Sequence, residues 1–405
     1  MAVGSGELGT LHGVAGIRMA AVSAGIKKPG RLDVVVFELA SGSVVGGVFT
    51  SNAFCAAPVT LCKQHLAQTA PRYFLVNTGN ANAGTGEAGL LAAQSCCDAL
   101  ARAASVQTSA VLPFSTGVIG ELLPAAKINA VVSSALTGLN NSDWEKVARG
   151  IMTTDTRPKA ASRQLQLAGN TVNITGIAKG AGMIKPNMAT MLGYVFTDLG
   201  MSAPGVQSAT RQAADLSFNR ITVDGDTSTN DCCMLVATGQ SGVQFDALTA
   251  ADQQRFTAEL QAVFIDLATA IIRDGEGATK FVTIRIEGGA TVQECLQVGY
   301  AIGESPLVKT ALFASDPNWG RILAAVGRAG LDKLQLDKIE IRLDDVIIVH
   351  NGARAASYTE ANGQAVFAKP EFSITVRLGR GNCNETLWTC DFSHDYVTIN
   401  AEYRT

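Results

Sequence analysis

KGAGMIKPNMATML, Lys179 to Leu192, opens like a phosphate loop, with glycines and two lysines, and then departs from one. A phosphate loop closes on Gly-Lys followed by Ser or Thr. Here Lys185 is followed by Pro186, and the stretch runs on to the small pair Ala189-Thr190. A threonine inside a chain is a weak nucleophile, because its hydroxyl has no built-in base. At a chain terminus its own α-amine, with a reference pKa of about 7.7–8.0, can take the hydroxyl proton near neutral pH. Thr190 can make such a terminus: its Oγ attacks the Ala189 carbonyl, the acyl group shifts from nitrogen to oxygen, and water hydrolyses the ester. Pro186 and the nearby glycines would fix the loop for that attack. The strand predicted from Thr190 onward, TMLGYVFTD, would hold the new terminus. A turn entering a core strand is the plainer reading, and these residues alone leave it open.

Outward from this stretch, apolar runs and turn residues mark the other elements. Leu32 to Thr50, two apolar runs around Ser-Gly-Ser, reads as a β-hairpin. RYFLVN (Arg72 to Asn77) is a strand, followed by a Gly/Asn-rich loop and a helix over 90–104. Ser142 to Thr153 reads as a helix capped by Ser142, and Asp246 to Arg273 as a long amphipathic helix that stops at Gly275 and Gly277. FVTIRIEGG follows as a strand. From Lys338 the pattern is strand-rich: KIEIRL, VIIVHNG, FSITVRLG and the C-terminal YVTINAEYRT. Helices and strands mix without the regular alternation of a doubly wound sheet, which predicts mixed or antiparallel sheets layered with helices, an α/β (α+β) sandwich. A domain boundary is expected near 285–300.

With 405 residues the chain is long enough for two or three domains and buries about three quarters of its unfolded surface. Charged residues make up 17% and the formal net charge is −3, with no basic cluster dense enough for nucleic acid or an anionic membrane. Small-molecule substrates are therefore expected. The nine cysteines are odd in number, and no C-x-x-C occurs, so neither a zinc cage nor a disulfide framework is indicated. No apolar run approaches the roughly 18 residues of a membrane span. No charged segment leading into an apolar core opens the sequence, so a soluble, cytoplasmic protein is expected.

Three motifs imitate other chemistries. GTGEAG (Gly84 to Gly89) fits G-x-G-x-x-G, but the preceding strand ends too early and no acid lies between Asp98 and Glu121 to meet a ribose. DGDTSTND (Asp224 to Asp231) imitates a calcium loop, yet Thr229 stands at the sixth place and Leu235 at the twelfth, where Gly and Glu are needed. It reads as a polar turn. Ser393-His394-Asp395 has the residue types of a hydrolase triad, but neighbours on a strand point to opposite faces and cannot converge.

KGAGMIKPNMATML resembles the cleavage-site signature of the ornithine acetyltransferase (glutamate N-acetyltransferase) family of arginine biosynthesis. The resemblance continues in GVFTSN (Gly47 to Asn52), VNTGNANAGTG (Val76 to Gly86), STGVIG (Ser115 to Gly120), IMTTDTRPK (Ile151 to Lys159), TVDGDTSTND (Thr222 to Asp231), RDGEGATK (Arg273 to Lys280), SDPNWGRI (Ser315 to Ile322) and INAEYRT at the C-terminus. Ordered motifs over nearly the whole chain make it specific. It implies self-cleavage between Ala189 and Thr190, giving an α chain of residues 1–189 and a β chain of 190–405. It makes Thr190 the acetyl acceptor and Thr116-Gly117 the oxyanion hole; on the residues alone, that pair is a turn after the strand AVLPF. By the same resemblance Thr153, Lys179, Glu276, Asn400 and Thr405 contact substrate, with Lys179 suited to a carboxylate and Glu276 to an amine or a proton transfer.

The implied reaction is a ping-pong transfer from N²-acetyl-L-ornithine to L-glutamate, with no metal or organic cofactor. Acetyl-CoA stays open as a co-substrate. The implied assembly is an α₂β₂ heterotetramer, and the implied fold one shared with self-cleaving N-terminal-nucleophile aminopeptidases. An aminopeptidase or amidase of that fold, passing the acyl group to water, is the rival reading.

Overall fold

The computed structural model describes residues 2–185 and 191–402. The chain divides into two compact units, the first made of residues 7–219 and 226–271, the second of 1–6, 220–225 and 272–405. Each is built around its own sheets.

The first unit holds two sheets. One has four strands: β1 (Ile17–Val22), β2 (Val34–Leu39), β4 (Tyr73–Asn80) and β5 (Val111–Val118), in the order β1-β2-β4-β5. The other has five, β3 (Val44–Phe49), β6 (Lys159–Leu167), β7 (Asn170–Lys179), β8 (Leu192–Thr197) and β10 (Cys232–Ala237), in the order β3-β10-β8-β7-β6. Their inner faces meet in a core that takes alternate residues from each strand: Val35, Phe37 and Leu39, Phe74 and Val76, Leu192, Tyr194 and Phe196, Cys232, Met234 and Val236. Phe37 lies 5.0 Å from Phe196 and Phe114 lies 5.2 Å from Tyr194, ring centre to ring centre, within the range where aromatic pairs attract.

The opposite residues of β2 and β4, Val34, Val36, Tyr73 and Leu75, pack in a second core with α1 (Ala57–Gln68), α2 (Gly86–Ala104) and α3 (Ala125–Thr137). Burial on both faces is why these strands read as unbroken apolar runs rather than alternating ones. On the outer face of the five-stranded sheet, α5 (Ala203–Asp215) and α6 (Ala250–Arg273) close in where glycines leave room. A Cβ on Gly46 would lie 2.9 Å from the Val206 carbonyl oxygen, and one on Gly176 the same distance from Leu267. The unit is thus a four-layer α-β-β-α sandwich, the layered mixed-sheet architecture expected.

Two expectations change here. Leu32 to Thr50 is not a hairpin: β2 pairs with β1 and β4, whereas β3 pairs antiparallel with β10 in the facing sheet. The turn at Gly42, with φ +85°, carries the chain from one layer to the other. The helix over 142–153 shortens to α4 (Trp144–Gly150), whose N-cap residue is Asp143 rather than Ser142.

The second unit carries a seven-stranded sheet in the order β14-β13-β12-β15-β11-β16-β9. Its strands are β9 (Ile221–Thr222), β11 (Phe281–Gly289), β12 (Glu340–Leu343), β13 (Val346–His350), β14 (Ala353–Arg354), β15 (Glu371–Arg377) and β16 (Cys383–Cys390). The buried faces of α7 (Val292–Gly303), α8 (Pro306–Phe313), α9 (Trp319–Gly327) and α10 (Glu360–Phe367) complete its core. The C-terminal segment is a correction. Over its described residues, 396–402, YVTINAEYRT is not a strand; α11 runs His394–Ala401, with Ser393 at the N-cap position and Asp395 in the first turn. Its alternation does not follow burial, since Val397 is 67% exposed.

Candidate active site

In the first unit, Thr116 and Gly117 lie within β5, not in a turn after it. They pair with Thr78 and Gly79 of β4, and the register breaks at Gly79-Asn80, where the strands close tightly. A Cβ on Gly117 would sit 2.3 Å from the Gly79 carbonyl carbon and 2.4 Å from Asn80 N, and φ is +137°. Only glycine fits there. Thr116 is buried, and Lys179, the last residue of β7, donates from Nζ to Thr116 Oγ at 3.1 Å.

Asparagines hold this junction. Ser115 Oγ donates to Asn77 Oδ1 at 2.6 Å, and Asn77 Nδ2 donates to the Asn80 carbonyl at 2.9 Å. Asn230 Nδ2 donates to the carbonyls of Ala81, at 2.6 Å, and Ser115, at 2.9 Å. This is what the Asn-rich VNTGNAN stretch and the end of DGDTSTND do: short amides satisfy carbonyls that the broken register leaves unpaired.

Three ionisable side chains gather behind Lys179. Asp155 accepts from Lys159 Nζ at 2.6 Å, from Gly180 N at 2.7 Å and from Thr153 N at 2.9 Å. Burial opposes its charge, but Lys159, Lys179 and the Gly180 N–H outweigh that and hold the carboxyl well below the usual carboxylate range. Asp231, buried at the head of β10, goes the other way. Burial pushes its carboxyl well up, against the Met191 N–H and the Lys179 charge, and Oδ2 has no hydrogen-bond partner among the described residues. Asp155, Lys159, Asn230 and Asp231 carry no nucleophile or ligand signature in the sequence. In the sequence they are the charges and amide of two polar stretches, IMTTDTRPK and DGDTSTND, that lead into β6 and β10.

In the second unit, Glu276 is buried in the loop between α6 and β11, and Asn400 Nδ2 on α11 donates to its Oε2 at 2.7 Å. Gly277, at φ +68°, lets α11 come close: Ser393 Oγ donates to its carbonyl at 2.7 Å, and a Cβ there would lie 2.6 Å from Tyr396 N. Residues 124 apart in sequence are thereby brought into contact.

The first unit therefore brings Thr116, Gly117, Lys179 and Thr153 together, and the second brings Glu276 and Asn400 together. Ala189, Thr190 and Thr405 lie outside the described residues. The SHD triplet does not converge, because His394 starts α11 and lies edge-on to Phe313 at 5.5 Å. Among the described residues no three His, Cys, Asp or Glu side chains gather at metal-holding distance, and no helix is long and apolar enough to cross a membrane.

A model of the ArgJ family matches residues 18–405. The chain is 59% identical over 408 residues to the arginine biosynthesis bifunctional protein ArgJ of Pseudomonas fluorescens (strain Pf0-1), covering all of both chains. Identity to the protein of the same name from Pseudomonas syringae pv. tomato is also 59%, over 408 residues and all of both chains. Among solved structures, ArgJ from Bacillus halodurans is 38% identical, with a TM-score of 0.49, over 52% of this chain and 99% of that one.

Proposed function

The chain belongs to the ArgJ family, and on that premise we propose that it moves an acetyl group from N²-acetyl-L-ornithine to L-glutamate through an ester on Thr190. It is an acyltransferase of arginine biosynthesis. The observation that carries the mechanism is the Lys179–Thr116 hydrogen bond beside Gly117. Lys179 occupies an acceptor lone pair of the Thr116 hydroxyl, so the Thr116 proton is turned elsewhere and serves as a donor. A hydroxyl proton and the adjacent Gly117 N–H form a pair suited to an alkoxide developing on an acyl carbon.

The chain first cuts itself. Thr190 Oγ attacks the Ala189 carbonyl, the C–N bond breaks with the hydroxyl proton going to nitrogen, and water hydrolyses the resulting ester. In turnover the Thr190 amine takes the Oγ proton as Oγ attacks the acetyl carbon of N²-acetylornithine. Thr116 and Gly117 hold the oxyanion, and the proton passes to the leaving amine as ornithine departs. Glutamate then attacks the acetyl-Thr190 ester with its amine and regenerates the hydroxyl.

Lys179 takes a substrate carboxylate, and Glu276, steadied by Asn400, meets the substrate amine with Thr153 and Thr405. The reading calls for no metal or organic cofactor and leaves acetyl-CoA as an alternative donor. It places the enzyme in the cytoplasm as an α₂β₂ assembly of its own two chains. Incubation with N²-acetylornithine tests it. N-acetylglutamate should form only when glutamate is supplied; acetate released at the same rate without glutamate would make the enzyme an amidase instead.

A further inference from the structure

Asp155 lies in the loop between α4 and β6, and its carboxylate meets donors only. Oδ1 accepts from the Gly180 N–H and from Lys159 Nζ, and Oδ2 accepts from the Thr153 N–H. The Asp155 and Lys159 side chains are 0% and 1% exposed. The two backbone donors flank the site: Thr153 is itself one of its residues, and Gly180 follows Lys179, whose Nζ reaches Thr116. One carboxylate thus ties together two segments about 25 residues apart, and the second carries the ammonium that orients the Thr116 hydroxyl.

We propose that Asp155 is the positioning residue of the acyl-transfer site: it sets where Lys179 stands against Thr116 and where Thr153 stands beside them. This rests on the acetyl-transfer reading above. Asp155 acts through its neighbours and need not touch substrate. Three donors around two oxygens require a carboxylate, because an amide would turn its NH₂ toward at least one of them. Stability alone does not call for the Asp155–Lys159 ion pair. A buried ion pair can often be exchanged for apolar groups with little loss, but the Thr153 and Gly180 N–H groups would still lack an acceptor.

Two variants separate the carboxylate from the ion pair. Lys159→Met keeps Asp155 with its two backbone donors and with the Lys179 charge. Asp155→Asn combined with Lys159→Met removes both buried charges together and leaves an amide among donors. Acetyl transfer, L-ornithine binding by calorimetry and thermal unfolding are measured on each. Lys159→Met, which leaves the Asp155 carboxylate on both backbone donors, is the reference for the double variant. The double variant should unfold no lower than Lys159→Met, where the buried Asp155 charge lacks its ammonium partner, yet lose about 10²-fold in kcat/KM relative to it, the scale of a displacement of about 1 Å at an active site, and bind ornithine more weakly.

A double variant that matches Lys159→Met in kcat/KM and in ornithine binding would overturn the proposal. Should the double variant not fold, Asp155→Glu keeps the charge and shifts it by one methylene. The same drop is expected, and wild-type activity in that variant would overturn the proposal equally. If the wild-type protein transfers no acetyl group, the functional reading falls, and the ornithine-binding comparison still decides the role of Asp155.

Discussion

Thr116 combines a nearly buried hydroxyl with a lysine that fixes which way it points. Thr116→Ala should lower kcat by about 10²–10³, the cost of one oxyanion donor, with little change in KM; initial rates across the N²-acetylornithine concentration range check this. Asp231 makes a prediction about pH. Its carboxyl is pushed up by burial, so the folded protein keeps a proton that the unfolded chain releases above its ordinary carboxylate pKa. Stability is then drained as pH rises from about 4 toward the folded value. Asp231→Asn keeps an acceptor for the Met191 N–H and cannot ionise. Thermal unfolding should show it gaining on the wild type as pH rises from 4 to 8; a constant difference would mean the carboxyl stays ordinary. Asp155 has the opposite sign. Its folded pKa is depressed, so the stability it contributes is present at neutral pH and lost as pH falls below about 4.

At the scale of elements, Asn230 is a joint among strands of the first unit, and Gly277 is where α11 meets the Glu276 loop in the second. Asn230→Ala leaves the Ala81 and Ser115 carbonyls without their donor. Chemical denaturation should find it less stable by about 1–3 kcal/mol, with kcat lowered because Ser115 precedes Thr116. Gly277→Ala puts a methyl against Ser393 Oγ and Tyr396 N. It should displace α11, loosen the hold of Asn400 on Glu276, and appear as a raised KM rather than as global unfolding. Elements are also where the sequence misleads. β2 and β3 are rightly read as strands, but a three-residue Ser-Gly-Ser turn looks the same whether it closes a hairpin or crosses between layers. The deciding contact is the pairing of Val44–Phe49 with Cys232–Ala237, nearly two hundred residues away. In α11 the alternation of YVTINA imitates a strand, while Ser393 and Asp395 carry the helix signal in a short cap and first turn.

Across the molecule, the sandwich was legible because each central strand reports its own burial: β4 over Tyr73–Val76 and β8 over Leu192–Phe196 run apolar and are buried on both faces. The candidate residues Thr116, Lys179, Glu276 and Asn400 were legible only as motifs. Local patterns do not say that Lys179 reaches Thr116, 63 residues earlier, or that Asn400 reaches back to Glu276. The supporting charges stayed hidden because a buried Asp-Lys pair and a solvated one are written alike in sequence, and only packing separates them.

Acetyl transfer through Thr190 requires that Thr190 become a chain terminus. Denaturing electrophoresis with intact-mass analysis of the purified wild-type protein and of Thr190→Ala tests this most directly. Two chains, one ending at Ala189 and one beginning at Thr190, are predicted for the active wild type, and a single inactive chain for the variant. A wild-type protein that remains one uncut chain while fully active in acetyl transfer would contradict it.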